Sequence, residues 1–203
     1  MKKSIAIVWL TFLFSGVIGL FWYNDWVYNL PTPIPDQFKP ISLGKPINIS
    51  WKKESIGNKP LFLHFFNPDC PCSRFNVPHF KSLVKLYGSK VNFAIVPMTD
   101  KKITIKEIQD RFGSDIPVLL HSDIARTCGV YSTPQAVIID TNEKLFYRGN
   151  YNKSRFCSDQ KTEYARIALD ALINKSTIAF DPIALKAYAA NCHCVINDDE
   201  NFT

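Results

Sequence analysis

The stretch Leu61–Phe66, L-F-L-H-F-F, runs directly into N-P-D-C-P-C-S-R-F, and this junction limits the possible folds more than any other feature. The apolar run fits a buried strand. From Phe75 to Leu86 apolar residues recur at helical spacing, interleaved with His79, Lys81 and Lys85, so a helix should open just after the C-P-C turn. A strand that is apolar on both sides, followed at once by a helix, belongs to a sheet covered on both faces.

The rest of the chain continues the alternation. Val91–Pro97 reads as a second strand, Thr104–Phe112 as a second helix, and Ile116–Leu120 as a short strand entered through Pro117. Gln135–Asp140 and Lys144–Arg148 form a hairpin across the polar turn T-N-E, and Gln160–Lys175 repeats apolar residues on one helical face. Residues 41–59 suggest an edge hairpin and 181–191 one more short helix. The fold class expected is α/β, a central mixed β-sheet flanked by helices.

Ahead of this domain, M-K-K precedes an uncharged run from Ile5 to Tyr23, long enough at about 1.5 Å per residue to cross a hydrocarbon core of roughly 30 Å. The two lysines place the N-terminus in the cytoplasm, and Trp22, Tyr23, Trp26 and Tyr28 suit the outer interface. Bulky Leu20–Tyr23 continue past the small residues Ser15, Gly16 and Gly19, which favours an uncleaved anchor over a cleaved signal peptide. The chain therefore divides into a cytoplasmic stub and transmembrane signal anchor (1–28), an extended Pro-rich tether (29–50), and an exported domain with a cysteine-containing tail (51–203). The net charge of +6 is spread along the chain rather than gathered in basic runs, which disfavours a nucleic-acid partner.

Export makes disulfides possible, and four of the six cysteines stand in two C-x-C pairs, Cys70/Cys72 and Cys192/Cys194. Cys70 lies where a strand hands over to a helix, so backbone N–H groups and the helix dipole favour its thiolate. Pro71 suits the opening position of that helix. Arg74 adds a positive charge one turn on, a further influence that lowers a nearby thiol pKa.

The segment F-L-H-F-F-N-P-D-C-P-C-S-R-F-N-V-P resembles the active-site region of the thioredoxin superfamily. It is most similar to the membrane-tethered, periplasm-facing redoxin or TlpA-type proteins of bacteria, in which an apolar strand enters a W-C-x-x-C turn and a helix with an early proline. C-G-V-Y-S-T-P-Q-A-V-I-I-D, Cys128–Asp140, resembles the second motif of that superfamily, with Thr133-Pro134 matching the cis-proline that faces the cysteines. The likeness spans about residues 55–175. It implies a thioredoxin-like fold on a bacterial inner membrane, single-pass, with the domain in the periplasm. It also implies exchange with protein thiols or disulfides, a membrane or periplasmic redox partner, and no cofactor.

The motif is a variant. With Cys70 on the first cysteine of C-x-x-C, Ser73 falls on the second, and Cys72 stands where the superfamily carries another residue. Pro78 keeps this register. Cys70 is then the attacking sulfur and Cys72 the resolver, through a small and strained ring that is easily reduced. The competing reading places the resolver at Cys128, Cys157, Cys192 or Cys194. Cys128 also fits an inert buried thiol, and Cys157 a structural partner for Cys192 or Cys194. His64, where thioredoxins often carry a buried acid, is a candidate proton relay, against a purely structural role.

A different class of function is copper handling, with Cys70, Cys72, Cys192, His193 and Cys194 as soft ligands. A thiol peroxidase is less well matched, because Asn67 and Asp69 stand where such enzymes place a Thr or Ser three residues before the cysteine. A redox-inert adaptor is the remaining reading.

Overall fold

The computed structural model describes residues 2–28, 30–36, 38–48, 59–120, 123–154 and 157–187. Helix α1 (Lys2–Tyr28) contains the stretch Lys2–Asn24, of mean hydropathy 2.2 and 0% buried, which is long and apolar enough to cross a membrane. The domain then runs β1 (Leu61–Phe66), α2 (Pro71–Tyr87), β2 (Asn92–Pro97), α3 (Ile105–Phe112), α4 (Asp123–Cys128), β3 (Gln135–Ile139), β4 (Leu145–Gly149), α5 (Tyr164–Ile173) and α6 (Pro182–Leu185).

The sheet order is β2-β1-β3-β4. β1 and β2 are parallel, from Leu61↔Asn92 to Phe66↔Pro97, and α2 supplies the crossover that a parallel pair needs. β1 and β3 are antiparallel, as is the β3–β4 hairpin, which has a register shift at Ile138/Ile139. Every residue of β1 is buried, and its alternation divides the core. Phe62 and Phe66 join Phe80, Leu83, Phe112 and Leu169 on one face. Leu61, Leu63 and Phe65 join Ile124, Cys128 and Val137 on the other.

Three elements depart from the sequence reading. Residues 116–120 form only a bridge, Ile95↔Val118, because Pro117 has no N–H to donate. Its carbonyl accepts from Ile95 N at 2.9 Å, and Leu119 N donates to Ile95 O at 2.9 Å. Helix α4 was not anticipated. Residues 160–175 split into a 3-10 turn at Gln160–Thr162, capped by Asp159, and α5.

Part of the Pro-rich segment that precedes the domain is docked against it. Thr32 and Ile47 are buried, Phe38 packs against Tyr131 with ring centroids 4.7 Å apart, and Arg148 donates to Ile41 O at 3.0 Å. Along β4, Gly44 N donates to Leu145 O at 2.7 Å, Leu145 N to Lys45 O at 2.9 Å and Ile47 N to Glu143 O at 2.8 Å. The outer part of the proposed edge hairpin, residues 49–58, lies outside the described residues, as do 188–203.

Candidate active site

The chain leaves β1 through a loop held by its own side chains. Asn67 Oδ1 accepts from Asp69 N at 2.9 Å, Cys70 N donates to Asn67 O at 3.1 Å, and Asn67 N donates to Ser73 Oγ at 3.2 Å. Ser73 is fully buried, so the residue in the usual resolving position closes the loop. Arg111 Nη1 reaches Pro68 O at 3.3 Å and ties α3 to the same loop. Lys101 and Asp69 form an exposed ion pair at 3.0 Å, of small energetic weight.

Cys70 is the N-cap of α2, extended at φ −83 and ψ 121, and Pro71 opens the helix. The helix thus begins before Phe75, with both cysteines in its entry. The first helical hydrogen bond runs from Arg74 N to Cys70 O at 3.2 Å, leaving the N–H groups of Cys72 and Ser73 at the positive end of the dipole. Arg74 is exposed, whereas Cys70 and Cys72 are only 2% and 3% exposed.

The Thr133–Pro134 bond is cis. Because Phe65 pairs with Gln135, Pro134 comes level with Phe66, at the end of the sheet from which the C-P-C loop departs. Thr133 is buried, and Thr133 Oγ1 and Gln135 Oε1 have no hydrogen-bond partner among the described residues. The two motifs, far apart in sequence, lie at the same end of the sheet.

Cys70 and Cys72 are disulfide-bonded, whereas Cys128 and Cys157 are free thiols. Burial pushes the Cys128 thiol up to about 12, in the core on the sheet face away from α2, and does the same for Cys157. Neither forms a thiolate readily at neutral pH. Cys157, being free, does not staple the tail. Cys192, His193 and Cys194, and with them most of the soft-ligand set, lie outside the described residues. Among the described residues no group of three or more His, Cys, Asp or Glu is placed to hold a metal.

His64 lies in the core. Its Nδ1 is 2.6 Å from the Tyr151 hydroxyl, its ring stacks on Phe80 at 4.4 Å, and Nε2 is buried without a partner among the described residues. Burial lowers its pKa to about 3, and its contacts are those of a packed core residue. No sequence signal marked Tyr151 as its partner, since the two are 87 positions apart.

A family model for a domain of unknown function, DUF6436, matches residues 45–196. The chain belongs to this family. A search of the curated proteins gives no match. Among solved structures, a hypothetical protein from Sinorhizobium meliloti 1021 is similar at 17% identity and a TM-score of 0.59, over 75% of this chain and 96% of that one. An uncharacterized conserved protein from Geobacillus kaustophilus is similar at 21% identity and a TM-score of 0.55, over 73% and 86%. A thiol:disulfide interchange protein of the thioredoxin family from Chlorobium tepidum TLS shares 19% identity over 70% and 97%, with a TM-score of 0.46. The fold of this DUF6436 member is thioredoxin-like: a mixed sheet in the order β2-β1-β3-β4, α2 opening at the C-P-C turn, and a cis-proline heading β3.

Proposed function

We propose that this protein is a membrane-anchored, exported thiol-disulfide oxidoreductase that acts on protein cysteines through the C-P-C motif. One observation carries the reading: two disulfide-bonded cysteines occupy the N-terminal entry of α2, at the same end of the sheet as the cis Thr133–Pro134 bond. When reduced, Cys70 has an environment that favours a thiolate, an N-cap position at the positive end of the α2 dipole. Thr133 and Pro134 shape the surface beside it against which a substrate chain would lie. Cys72 is the second redox thiol of the motif.

The apolar helix α1 supports an anchor, with the lysines at its start on the cytoplasmic side and the domain in the periplasm. Protein thiols or disulfides are then the substrates, and the redox partner is membrane-bound or periplasmic.

The test is exchange between the full chain in detergent and a peptide disulfide or insulin. Cys70→Ser should lower the rate at least about 100-fold, and an unchanged rate would refute the reading. Labelling of intact cells with a membrane-impermeant maleimide after mild reduction tests the topology; a domain that labels only after lysis contradicts export.

A further inference from the structure

The buried face of α2 carries polar side chains where packing on a sheet calls for apolar ones. Cys72, Asn76 and His79 stand at i, i+4 and i+7, on one stripe of the helix. We propose that His79, oriented by Glu163, is the proton acceptor for the Cys72 thiol when that thiol resolves a mixed disulfide, with Asn76 as the positioning residue between them. The proposal rests on the oxidoreductase reading, with Cys72 as its second redox thiol, and deepens it.

Burial is the first support. Cys72 and Asn76 are 3% and 2% exposed, and the His79 side chain is 8% exposed. Asn76 Oδ1 and His79 Nε2 have no hydrogen-bond partner among the described residues. Such an atom costs about 1–3 kcal/mol, and a leucine at either position would pack without that cost. Buried water is the usual partner of polar atoms in this situation. Cys72 and His79 are two turns apart, about 10 Å of rise, and Asn76 divides that span, so water held at its Oδ1 joins the two ends.

The second support is the orientation of the imidazole. His79 Nδ1 lies 3.8 Å from Glu163 Oε1, so the carboxylate favours the tautomer with the proton on Nδ1 and leaves Nε2 as the base. Arg166 Nη1 donates to Glu163 Oε2 at 3.0 Å, which fixes the carboxylate at the start of α5. The Glu163 side chain is 15% exposed and gives a proton a way out to solvent.

The third is electrostatic. The groups that face His79 are Glu163 and Arg166 beside and on α5, and Tyr151 after β4, whose ring is edge-on with centroids 5.8 Å apart. Cys157, which faces Tyr151 and Glu163, is neutral because burial pushes its thiol up to about 12. Burial lowers the His79 pKa, Glu163 opposes that shift and Arg166 adds to it, so the ring is neutral at pH 7 and can accept a proton. His64, on β1, has its pKa lowered to about 3 and is the weaker base.

In the reducing direction, the Cys70 thiolate attacks a substrate disulfide, and one substrate sulfur leaves as a thiolate. Cys72 Sγ then gives its proton, through the water at Asn76, to His79 Nε2. The resulting thiolate attacks Cys70 Sγ, the bond from Cys70 to the substrate breaks, and the second substrate sulfur leaves as a thiolate. Both substrate thiolates take protons from solvent, and the His79 imidazolium returns its proton to solvent past Glu163. Two electrons have passed from Cys70 and Cys72, now a disulfide, to the substrate sulfurs, and the reverse steps oxidise a substrate dithiol.

The experiment mixes the reduced full chain, in detergent, with one equivalent of a symmetrical aromatic disulfide. Cys70 attack releases the first coloured thiolate and resolution releases the second, so each preparation yields two rates whose ratio does not depend on the fraction folded. His79→Phe should lower the ratio of the second rate to the first at least about tenfold at pH 7, and the deficit should close by about pH 10, where hydroxide deprotonates Cys72 directly. Asn76→Leu should lower the ratio in the same direction. Glu163→Gln should move the acid limb of the second-phase pH profile to lower pH, because the charge that raises the His79 pKa is gone. A ratio for His79→Phe within about twofold of the parent, or a deficit equal at every pH, would overturn the proposal, as would a second phase that survives Cys72→Ser. A first phase that survives Cys70→Ser would instead refute the underlying oxidoreductase reading.

Discussion

His64 is neutral in the core, and that neutrality affects stability through pH. Its pKa is near 3 in the folded protein and about 6.5 when exposed. Above pH 6.5 both states hold the site unprotonated. As pH falls below 6.5 the unfolded chain takes up a proton that the folded one refuses, so stability drops by up to about 1.4 kcal/mol per pH unit. His79, its pKa lowered chiefly by burial, adds a contribution of the same sign. The urea midpoint should therefore fall from pH 7 to pH 5. His64→Phe should flatten that fall while costing about 1–3 kcal/mol at pH 7, because the buried Tyr151 hydroxyl loses its partner. Equal pH slopes for the variant and the parent would contradict the assignment. The histidine itself was visible in the sequence; its role was not, because Tyr151 and Phe80 come to it from other elements.

At the scale of elements, the close approach of β4 and α6 depends on Gly149. A Cβ there would run into the Ala184 carbonyl, whose carbon would be only 2.9 Å away. Gly149→Ala should cost about 1–3 kcal/mol and loosen residues 182–187, read as a lower melting temperature and faster proteolysis near Lys186. Helix α3 carries a full capping box between Thr104 and Glu107, and Thr104→Ala should cost about 1 kcal/mol in the same assay. Elements with a strong period, such as β1, β2, α3 and the β3–β4 hairpin, were legible to within a residue or two. The start of α2 was legible through Pro71, which opens the helix, although Cys70 caps it without the Ser, Thr, Asp or Asn that usually marks a helix start. Helix α4, Asp123–Cys128, is too short to show a period, and Pro117 disguised a bridge as a strand.

Across the whole molecule, the N-terminal tether and the C-terminal segment meet beside one loop. Thr32 bonds to Ala187 and lies against Ser132, and only four positions separate it from Tyr28 at the end of α1. At roughly 3.3–3.6 Å per residue Thr32, which bonds to Ser132 beside the cis-proline, is held within about 14 Å of the end of that helix. A flexible insertion of about ten residues after Leu30 should leave exchange with a soluble peptide unchanged and weaken exchange with a membrane-bound partner, measured on proteoliposomes against detergent-solubilised chain. The two motifs predicted this end of the sheet, whereas the docking of the tether had no signature in its Pro-rich composition. The central claim, that the C-P-C motif is a redox centre, is tested most directly by equilibrating the full chain in glutathione buffers of graded potential. Alkylation and mass spectrometry would then read Cys70 and Cys72. Both should pass from protected to alkylated across a two-electron transition while the protein stays folded. Alkylation that does not change with potential would contradict the account.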